Sequence, residues 1–336
     1  MNQVTLQTVL ATKASRVVQA VAGRTVVDFG ARRTHGVDAA NKAARAFHIA
    51  GIAGTSNVLA SRIYGMPALG TMAHSYIQSY DDELAAFRDF TRLYPETVLL
   101  IDSYNTLAGV DKVIALSREL GDSFRVRAVR PDSGDLGALA VESRARLDAA
   151  GLHEVGIFAS SGLDEHRIAE LVASGAPIEG FGVGTKMGVS EDAPSLDIAY
   201  KLCAYAGTGR VKLSTGKPIL PGRKQVFRVT EDGMAAHDVI ARAGEALDGR
   251  ALLQPVMRGS VRLDAGRAPL DEIREYAKSE LDGLPTRLRG LTPADPPYAV
   301  SVSEALARYH EEVKATVARP AAESDTRAGE GGPRSP

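Results

Sequence analysis

The sequence predicts an α/β protein whose main part is an irregular, TIM-like parallel (β/α) barrel. Short apolar runs alternate with amphipathic stretches from residue 26 to about residue 205, and this alternation is typical of a parallel sheet built from βα repeats. Most of the apolar runs end in glycine, hydroxyl or charged residues, as strands do at the functional end of such barrels. The number of repeats favours a closed barrel over an open sheet.

The pattern divides the chain into four segments. Residues 1–25 hold a helix that leads into the barrel, residues 26–209 form the barrel, residues 210–318 form a mainly β region followed by helices, and residues 319–336 form a disordered tail. Beyond the barrel, strands are predicted at 211–213, 225–229 and 260–263, and helices at 270–281 and 302–318. The tail is rich in Pro, Ala, Glu and Gly, a composition that buries too little apolar surface to fold.

Composition excludes several classes of protein. The chain of 336 residues is 44% hydrophobic and 24% charged with a net charge of -1, so no overall basic field indicates a nucleic-acid partner. The single cysteine, Cys203, excludes an intramolecular disulfide and a cysteine zinc cluster; it falls in an apolar stretch, 198–205, that we expect to be a buried helix. The chain shows neither a leader pattern nor an apolar run of membrane-spanning length. We therefore expect a cytoplasmic protein with no membrane partner.

The first two predicted strands end in polar loops. Strand 26–30 is followed by Arg32 and a second arginine, and guanidinium groups bind oxyanions such as phosphate in a bidentate manner. A solvated basic loop is the equally weighted alternative. Strand 51–57 ends in small polar residues that include Ser56.

The third predicted strand, 66–69, runs into Gly70, Thr71 and then His74. Gly70 leaves room for the close approach of a ligand. His74 is the candidate catalytic residue, because histidine changes its charge near neutral pH. Taken alone, a histidine after an apolar run is more often a hydrogen-bonded packing residue, so the other strand ends must support this assignment.

The later strand ends add charged groups and glycines. Strand 98–101 delivers Asp102, and strand 125–129 delivers Arg130, Asp132 and Ser133. Asp132 or Ser133 would also serve as the N-cap of the next helix, but two aspartates, an arginine and a serine exceed what a cap requires, so we favour a binding site. The sixth and seventh strands, 155–159 and 178–183, end at Ser161 and at a turn with Gly182, Gly184 and Thr185. Glycine-rich turns after late barrel strands bind phosphate through backbone N–H groups.

These residue types suit a polyphosphate ligand that binds together with a divalent cation, and a sugar whose hydroxyl groups an aspartate can hold. The sequence contains no HExxH motif, no Walker loop and no dinucleotide fingerprint, which argues against a zinc hydrolase and against the common nucleotide folds. No residue is assigned to the metal from sequence.

Seven short motifs follow one another along the chain. They are VDFGARRTHG (27–36), GTSN (54–57), GTMAHS (70–75), DSYNT (102–106), RPDSGD (130–135), GVGT (182–185) and LPGRKQV (220–226). Each motif alone is weakly specific, whereas the ordered set is highly specific. In this order the motifs resemble the nicotinate phosphoribosyltransferase family, and the match covers roughly residues 5–265.

The resemblance implies a reaction and its site. Nicotinate reacts with phosphoribosyl pyrophosphate to give nicotinate mononucleotide and pyrophosphate, the first step of NAD salvage, with Mg²⁺ and with ATP hydrolysis coupled through a phosphohistidine. It implies phosphorylation at His74, a nicotinate- and ribose-binding role for Arg130 and Asp132, and a homodimer whose site is completed across the interface. The remaining predicted substrate-binding residues are Arg32, Ser56, Gly70, Thr71, Ser133, Ser161, Gly182, Gly184 and Thr185.

Substrate choice is predicted from Ser56. The related nicotinamide phosphoribosyltransferases carry an aspartate at this position, which accepts the amide N–H of nicotinamide and repels a carboxylate, so Ser56 predicts nicotinate as substrate. The alternatives are a nicotinamide or quinolinate phosphoribosyltransferase, or a truncated, inactive homologue that only binds nucleotide or a partner subunit.

The family normally begins upstream of residue 1 with a Tyr-Glu-Leu-Thr-Met stretch, so we expect either an upstream start or a shortened form. The β region would then expose unpaired strand edges. Asn105 stands where the family more usually has an aspartate.

Overall fold

A computed structural model describes residues 1–214 and 219–329 of the chain, which divides into two compact units. The first unit comprises residues 1–196 and 269–278, and the second comprises residues 197–268 and the described residues from 279 onward. Residues 215–218, in the predicted β region, and residues 330–336, at the end of the predicted tail, lie outside the described residues.

The first unit alternates strands and helices as the sequence pattern predicts. Its strands are β1 (Thr25–Asp28), β2 (Gly54–Thr55), β3 (Val98–Leu100), β4 (Ala128–Arg130), β5 (Gly156–Ser160) and β6 (Gly180–Val183). Its helices are α1 (Asn2–Ala20), α2 (Val37–Ala50), α3 (Val58–Tyr64), α4 (His74–Ile77), α5 (Glu83–Leu93), α6 (Thr106–Leu120), α7 (Leu136–Ala149), α8 (Glu165–Ala173) and α9 (Thr185–Gly188), with 3₁₀ turns at Ala31–Arg33 and Gly121–Ser123.

All six strands pair in parallel, in the order β2-β1-β6-β5-β4-β3. The first and last strands of the series are neighbours, and Val27 pairs with Gly182. Because β1 meets β6 while the remaining strands follow their chain order, the sheet curls into a half-barrel. The carboxyl ends of the strands lie together at one edge of this sheet, which brings the predicted polar loops to the same end of the unit.

The predicted third strand is the point where the sheet differs from a closed barrel. Segment 66–69 forms a single parallel bridge between Ala68 and Thr55. It contains Pro67, which has no N–H to donate to a strand partner. Within the described residues, no ladder joins this segment to β3. The α/β class and the parallel sheet are confirmed, and the sheet keeps edges at β2 and β3.

Buried aliphatic side chains account for the strands, and polar caps account for several helix starts. Val27, Leu99 and Val129 are at most 5% exposed, as expected for strands covered on both faces. A side-chain oxygen accepts a hydrogen bond from an N–H of the first turn at α3, α5, α6, α7 and α8. The capping residues are Asn57, Asp82, Asn105, Asp135 and Asp164.

The second unit is built on a mixed four-stranded sheet of order β11-β9-β10-β14, in which β9 and β10 are antiparallel and β10 and β14 are parallel. Its strands are β7 (Ala204–Tyr205), β8 (Thr208–Gly209), β9 (Lys224–Glu231), β10 (Met234–Arg242), β11 (Arg250–Ala251), β12 (Met257–Arg258), β13 (Val261–Arg262) and β14 (Ala299–Val302). The helices from residue 264 onward are a 3₁₀ turn (Asp264–Gly266), α10 (Leu270–Asp282), α11 (Thr286–Arg289) and α12 (Glu304–Gly329). Helix α10 begins in residues that belong to the first unit.

Two sequence predictions for this region are wrong, and α12 extends beyond the predicted helix. The stretch 198–205 is not a helix, and Cys203 is half-buried. Its exposed side chains Ile198, Tyr200 and Leu202 recur at every second position, a period that fits extended chain rather than a helix. Residues 211–213 form no strand; the two-residue strands β7 and β8 precede them instead. Helix α12 covers residues 319–329 of the predicted tail.

No helix among the described residues combines the length and the apolar character that crossing a membrane requires.

Candidate active site at the carboxyl ends of the strands

His74 lies between polar groups from two strand ends. It is the first residue of α4, and its Nδ1 is 3.0 Å from Ser103 Oγ. On the other side of the ring, Nε2 lies 3.6 Å from Asp132 Oδ2 and 4.0 Å from Asp102 Oδ1. The side chain is 42% exposed. The imidazole is therefore oriented by a hydroxyl, faces two carboxylates and stays accessible to a ligand.

Asp102 places a buried carboxylate beside this histidine. It follows β3 by two residues, its side chain is 2% exposed, and Ser133 Oγ donates a hydrogen bond to its Oδ2. In the described chain, Oδ1 accepts no hydrogen bond, which is unusual for a buried carboxylate oxygen. This oxygen is free to accept a cation or a donor from a ligand.

The donor set fits Mg²⁺ shared with a substrate better than a metal held by protein alone. The described residues contain no group of three or more His, Cys, Asp or Glu side chains placed to hold a metal. Mg²⁺ commonly binds through one or two carboxylates together with substrate phosphates and water. Asp102 and Asp132, both near His74 Nε2, provide that pair of carboxylates.

Arg130 is buried and held by three oxygen atoms. It ends β4, and its side chain is 9% exposed. Nη1 donates to Asp132 Oδ1 at 3.0 Å and to Ser160 Oγ at 2.9 Å, and Nη2 donates to the carbonyl oxygen of Met72 at 2.8 Å. The guanidinium also lies over the ring of Phe29, 5.8 Å from its centre. These contacts fix the guanidinium at the rim of the sheet.

Burial lowers the pKa of Arg130, while the nearby charges of Asp132 and Asp102 raise it and Arg32 lowers it further. Arg32 lies on the turn after β1, at the same end of the sheet. The rim therefore combines two arginines with two aspartates, an arrangement that suits a ligand bearing both negative charge and hydroxyl groups.

The capping alternative for Asp132 and Ser133 does not hold. Helix α7 is capped by Asp135, whose Oδ1 accepts hydrogen bonds from the backbone N–H groups of Gly137 and Ala138. Asp132 instead accepts from Arg130 and from Ser160 Oγ. Both residues are therefore free of a capping role, and both contact the His74 cluster.

Arg32 and Ser56 lie on exposed turns after β1 and β2. The backbone N–H of Ser56 donates to the carbonyl oxygen of Asp28 at 2.8 Å. Arg32 belongs to the 3₁₀ turn Ala31–Arg33. The backbone of Ser56 is thus joined to the end of β1, and the substrate-binding roles of Arg32 and Ser56 stay predictions.

The remaining predicted residues occupy neighbouring strand ends. A side-chain carbon at Gly70 would meet no atom within 4 Å, so space is open there, and the hydroxyl of Thr71 donates to its neighbour's carbonyl oxygen. Ser161 is exposed with φ of 99°, a backbone conformation that is costly for a residue other than glycine. Thr185 is exposed at the start of α9.

Gly182 and Gly184 pack against Phe29. A side-chain carbon at Gly182 would lie 2.4 Å from the Phe29 ring, and one at Gly184 would lie 3.5 Å from the Phe29 carbonyl oxygen. The absence of a side chain at Gly182 therefore makes room for an aromatic ring. Phosphate binding at this turn stays a prediction.

The structure thus brings His74, Arg130, Asp132 and Ser133 into one connected cluster with Asp102. The other predicted residues lie at neighbouring strand ends without a direct hydrogen bond to this cluster in the described residues. Sequence reasoning did not select four residues that contact the cluster or support its turns: Asp28, Phe29, Ser103 and Ser160. Three of them lie inside the quoted motifs, but their strand-to-strand contacts have no signal in a single sequence.

Comparison with known proteins identifies the family. Residues 25–234 match the model of the nicotinate phosphoribosyltransferase (NAPRTase) family. A nicotinate phosphoribosyltransferase of Mycobacterium tuberculosis (strain ATCC 25618 / H37Rv) is 57% identical over 304 residues, which cover 90% of this chain and 66% of that protein. A nicotinate phosphoribosyltransferase of Bacillus subtilis (strain 168) is 41% identical over 236 residues, which cover 68% of this chain and 48% of that protein.

The chain thus spans about two thirds of the first of these relatives and about half of the second. The crystal structure of human nicotinic acid phosphoribosyltransferase superposes with a TM-score of 0.79 at 26% identity, covering 92% of this chain and 74% of that chain. The family resemblance of the seven motifs is confirmed, and the chain belongs to the nicotinate phosphoribosyltransferase family.

Proposed function

We propose that this chain converts nicotinate and phosphoribosyl pyrophosphate into nicotinate mononucleotide and pyrophosphate, in a ligase-class reaction of NAD salvage. ATP hydrolysis is coupled to the transfer through phosphorylation of His74. Family membership suggests the reaction. The following observation supports its assignment to the strand-end site. Segments that are distant in the sequence converge on a connected cluster of His74, Asp102, Arg130 and Asp132.

The transfer forms one bond and breaks one. The ring nitrogen of nicotinate attacks the anomeric carbon, a C–N bond forms, and the C–O bond to pyrophosphate breaks. Positive charge develops on the ribose ring and negative charge on the leaving group, so preorganised charges stabilise the transition state. Arg130 is held by Asp132, Ser160 and the Met72 carbonyl, and it therefore needs no rearrangement to bind an oxyanion. In this proposal, Asp132 accepts a hydrogen bond from a ribose hydroxyl.

The proposed metal is Mg²⁺, with Asp102 as its main protein ligand. When bound, the ion supplies positive charge that neutralises the departing pyrophosphate. The unpaired Oδ1 of Asp102 supports this assignment. Ser133 holds the other carboxylate oxygen and so fixes the orientation of the group.

The coupling to ATP is assigned to His74. An imidazole nitrogen attacks the terminal phosphorus of ATP, an N–P bond forms, the P–O bond breaks and ADP leaves; hydrolysis then returns free histidine and phosphate. The 42% exposure of the side chain and the contact of Nδ1 with Ser103 Oγ support this role, because they leave the ring accessible to the terminal phosphate and orient it. A phosphoryl group here adds negative charge beside Arg130 and Asp102, which alters how the site binds cations and anions.

The proposal also covers the barrel architecture, the oligomeric state and the cellular compartment. The strand order supports an irregular TIM-like barrel whose rim carries the site. A homodimer is supported by the exposed aliphatic side chains Val58, Leu59 and Ile63 of α3, and a one-chain mass by light scattering would contradict it. We place the reaction in the cytoplasm, because phosphoribosyl pyrophosphate and ATP are charged metabolites of the cell interior.

A substrate panel tests the proposed reaction. The purified chain is expected to form a mononucleotide from nicotinate when phosphoribosyl pyrophosphate, Mg²⁺ and ATP are present, and to use nicotinamide and quinolinate far less well. Faster turnover of nicotinamide or quinolinate would favour those alternatives. Absence of turnover with all three would favour an inactive homologue.

Replacing Ser56 with aspartate is expected to shift the preference from nicotinate toward nicotinamide. The new carboxylate repels the nicotinate carboxylate and accepts a hydrogen bond from the amide N–H of nicotinamide. We expect the ratio of kcat/KM for nicotinate to that for nicotinamide to fall about tenfold or more. The measurement is kcat/KM for both substrates. Ser123→Asp adds the same charge on an exposed turn before β4 and is expected to leave the ratio unchanged. An unaltered ratio in Ser56→Asp would contradict the assignment.

A further inference from the structure

We propose that Asp28 is a positioning residue that fixes Arg32 and Ser56 relative to each other, and thereby sets the discrimination between a pyridine carboxylate and a pyridine carboxamide. The inference rests on the proposed function, because it concerns how that site selects its pyridine substrate. Asp28 acts through the two turns that carry Arg32 and Ser56, and it is not assigned a contact with substrate.

Asp28 is the last residue of β1, and its three oxygen atoms accept hydrogen bonds from the turn after β1, from the end of β2 and from the turn after β2. Oδ1 accepts from the backbone N–H of Gly30 at 2.7 Å. Oδ2 accepts from Thr55 Oγ1 at 2.7 Å, and its carbonyl oxygen accepts from the backbone N–H of Ser56 at 2.8 Å. One residue therefore ties the turn after β1 to the turn after β2.

The hydrogen bond from Gly30 to Asp28 anchors the turn that contains Arg32. Gly30 precedes the 3₁₀ turn Ala31–Arg33, and its carbonyl oxygen accepts from the backbone N–H of Arg33 at 2.9 Å. Anchoring Gly30 on Asp28 thus fixes where this turn starts. Gly30 itself is confined, because a side-chain carbon there would lie 3.1 Å from Gly184 and Gly188 backbone atoms. The start of the turn therefore has little freedom to move.

The hydrogen bonds from Thr55 and Ser56 to Asp28 fix the backbone at Ser56. Thr55 Oγ1, held by Asp28, also accepts from the backbone N–H of Asn57 at 3.0 Å, and Asn57 caps α3. The backbone of Ser56 is bonded directly to Asp28. The position of the Ser56 side chain is therefore fixed by the same residue that anchors the Arg32 turn.

The burial of the Asp28 carboxylate is energetically unfavourable. Asp28 is 1% exposed, and within residues 1–214 and 219–329 no Lys, Arg or His side chain forms an ion pair with it. Burial raises the pKa of Asp28, and the hydrogen bonds from Thr55 and Gly30 lower it in part. A buried carboxylate without a countercharge destabilises the folded state. We attribute its presence to the geometry of the rim rather than to stability.

The experiment separates positioning from general support of the fold. Thr55→Val removes the hydroxyl that bonds to Asp28 with little change in shape, and Thr55→Ser keeps a hydroxyl. Thr91→Val is the matched control, because Thr91 is likewise buried but donates its hydroxyl to carbonyl oxygens of its own helix. For each chain, the thermal midpoint is measured together with KM and kcat for nicotinate, nicotinamide and phosphoribosyl pyrophosphate.

Thr55→Val is expected to raise KM for nicotinate about tenfold and to lower the nicotinate-to-nicotinamide ratio of kcat/KM by a similar factor. Saturating kcat and KM for phosphoribosyl pyrophosphate are expected to stay within about twofold of the wild-type values. Thr55→Ser is expected to restore the selectivity, and Thr91→Val is expected to change only the thermal midpoint.

Two results would overturn the inference. One is a Thr55→Val chain whose selectivity ratio equals that of the wild type, and the other is a loss of activity shared equally by both pyridines and not restored in Thr55→Ser. A wild-type chain that does not turn over nicotinate would instead overturn the proposed function, and this inference with it. That result is distinguishable because it appears before any residue is changed.

Discussion

The His74→Ala chain is expected to form nicotinate mononucleotide at one rate with or without ATP, whereas the wild-type chain is expected to be faster with ATP. The imidazole is the group that takes the phosphoryl group in our proposal, and it is accessible beside two carboxylates. Alanine removes the nucleophile, so the coupling to ATP disappears completely. The measurements are product formation with and without ATP, and transfer of labelled phosphate from γ-labelled ATP to the protein.

The matched control for His74 is His166→Ala, because His166 is exposed on α8 and belongs to no part of the site. This control is expected to keep both phosphate incorporation and the stimulation by ATP. A His74→Ala chain that still acquires labelled phosphate, or that is still stimulated by ATP, would show that another residue carries the coupling.

Replacing Arg130 is expected to produce the second large effect. The guanidinium donates to Asp132, Ser160 and the Met72 carbonyl at once, and a lysine ammonium cannot reproduce this planar arrangement. Arg130→Lys is therefore expected to lower kcat/KM by on the order of 10²–10³, the range for loss of one preorganised donor at a transition state. The measurement is kcat/KM for nicotinate at saturating phosphoribosyl pyrophosphate.

Arg127→Lys provides the control, because Arg127 lies three residues earlier and pairs with Glu96 on the surface. It is expected to keep kcat/KM within about twofold, since exposed ion pairs contribute little. If Arg130→Lys retained wild-type kcat/KM, the guanidinium would not be part of the transition-state environment, and the assignment of this cluster to catalysis would be wrong.

The parts of the fold that follow from local patterns are predictable from the sequence. The apolar run at 98–101 becomes β3 with Leu99 and Leu100 fully buried, and the helical pattern at 5–22 becomes α1, which spans Asn2–Ala20. Segment 66–69 shows the limit of such patterns. It has the composition of a strand, but its pairing is reduced to one bridge at Ala68, and a single sequence does not reveal which partner a short strand finds.

The candidate site likewise contains residues that the sequence predicts and residues that it does not. His74, Arg130 and Asp132 are recognisable from residue type and motif, and the structure places them in contact. Ser160 is not recognisable in this way, because it contacts Asp132 across 28 positions of sequence. The roles of Asp28 and Thr55 likewise arise only when β1 and β2 pair. Contacts that depend on strand pairing are thus the part of the site that sequence patterns leave out.

The most direct test of the account is a crystal structure of the chain with phosphoribosyl pyrophosphate and Mg²⁺ bound. We expect the sugar phosphate to contact Arg130 and Asp132, with the His74 ring in the same site and the metal on Asp102. Binding at a different place, such as the depression at the amino ends of β1 and β6 that Arg24, Arg144 and Glu179 line, would contradict the claim that the strand-end loops form one site for this substrate.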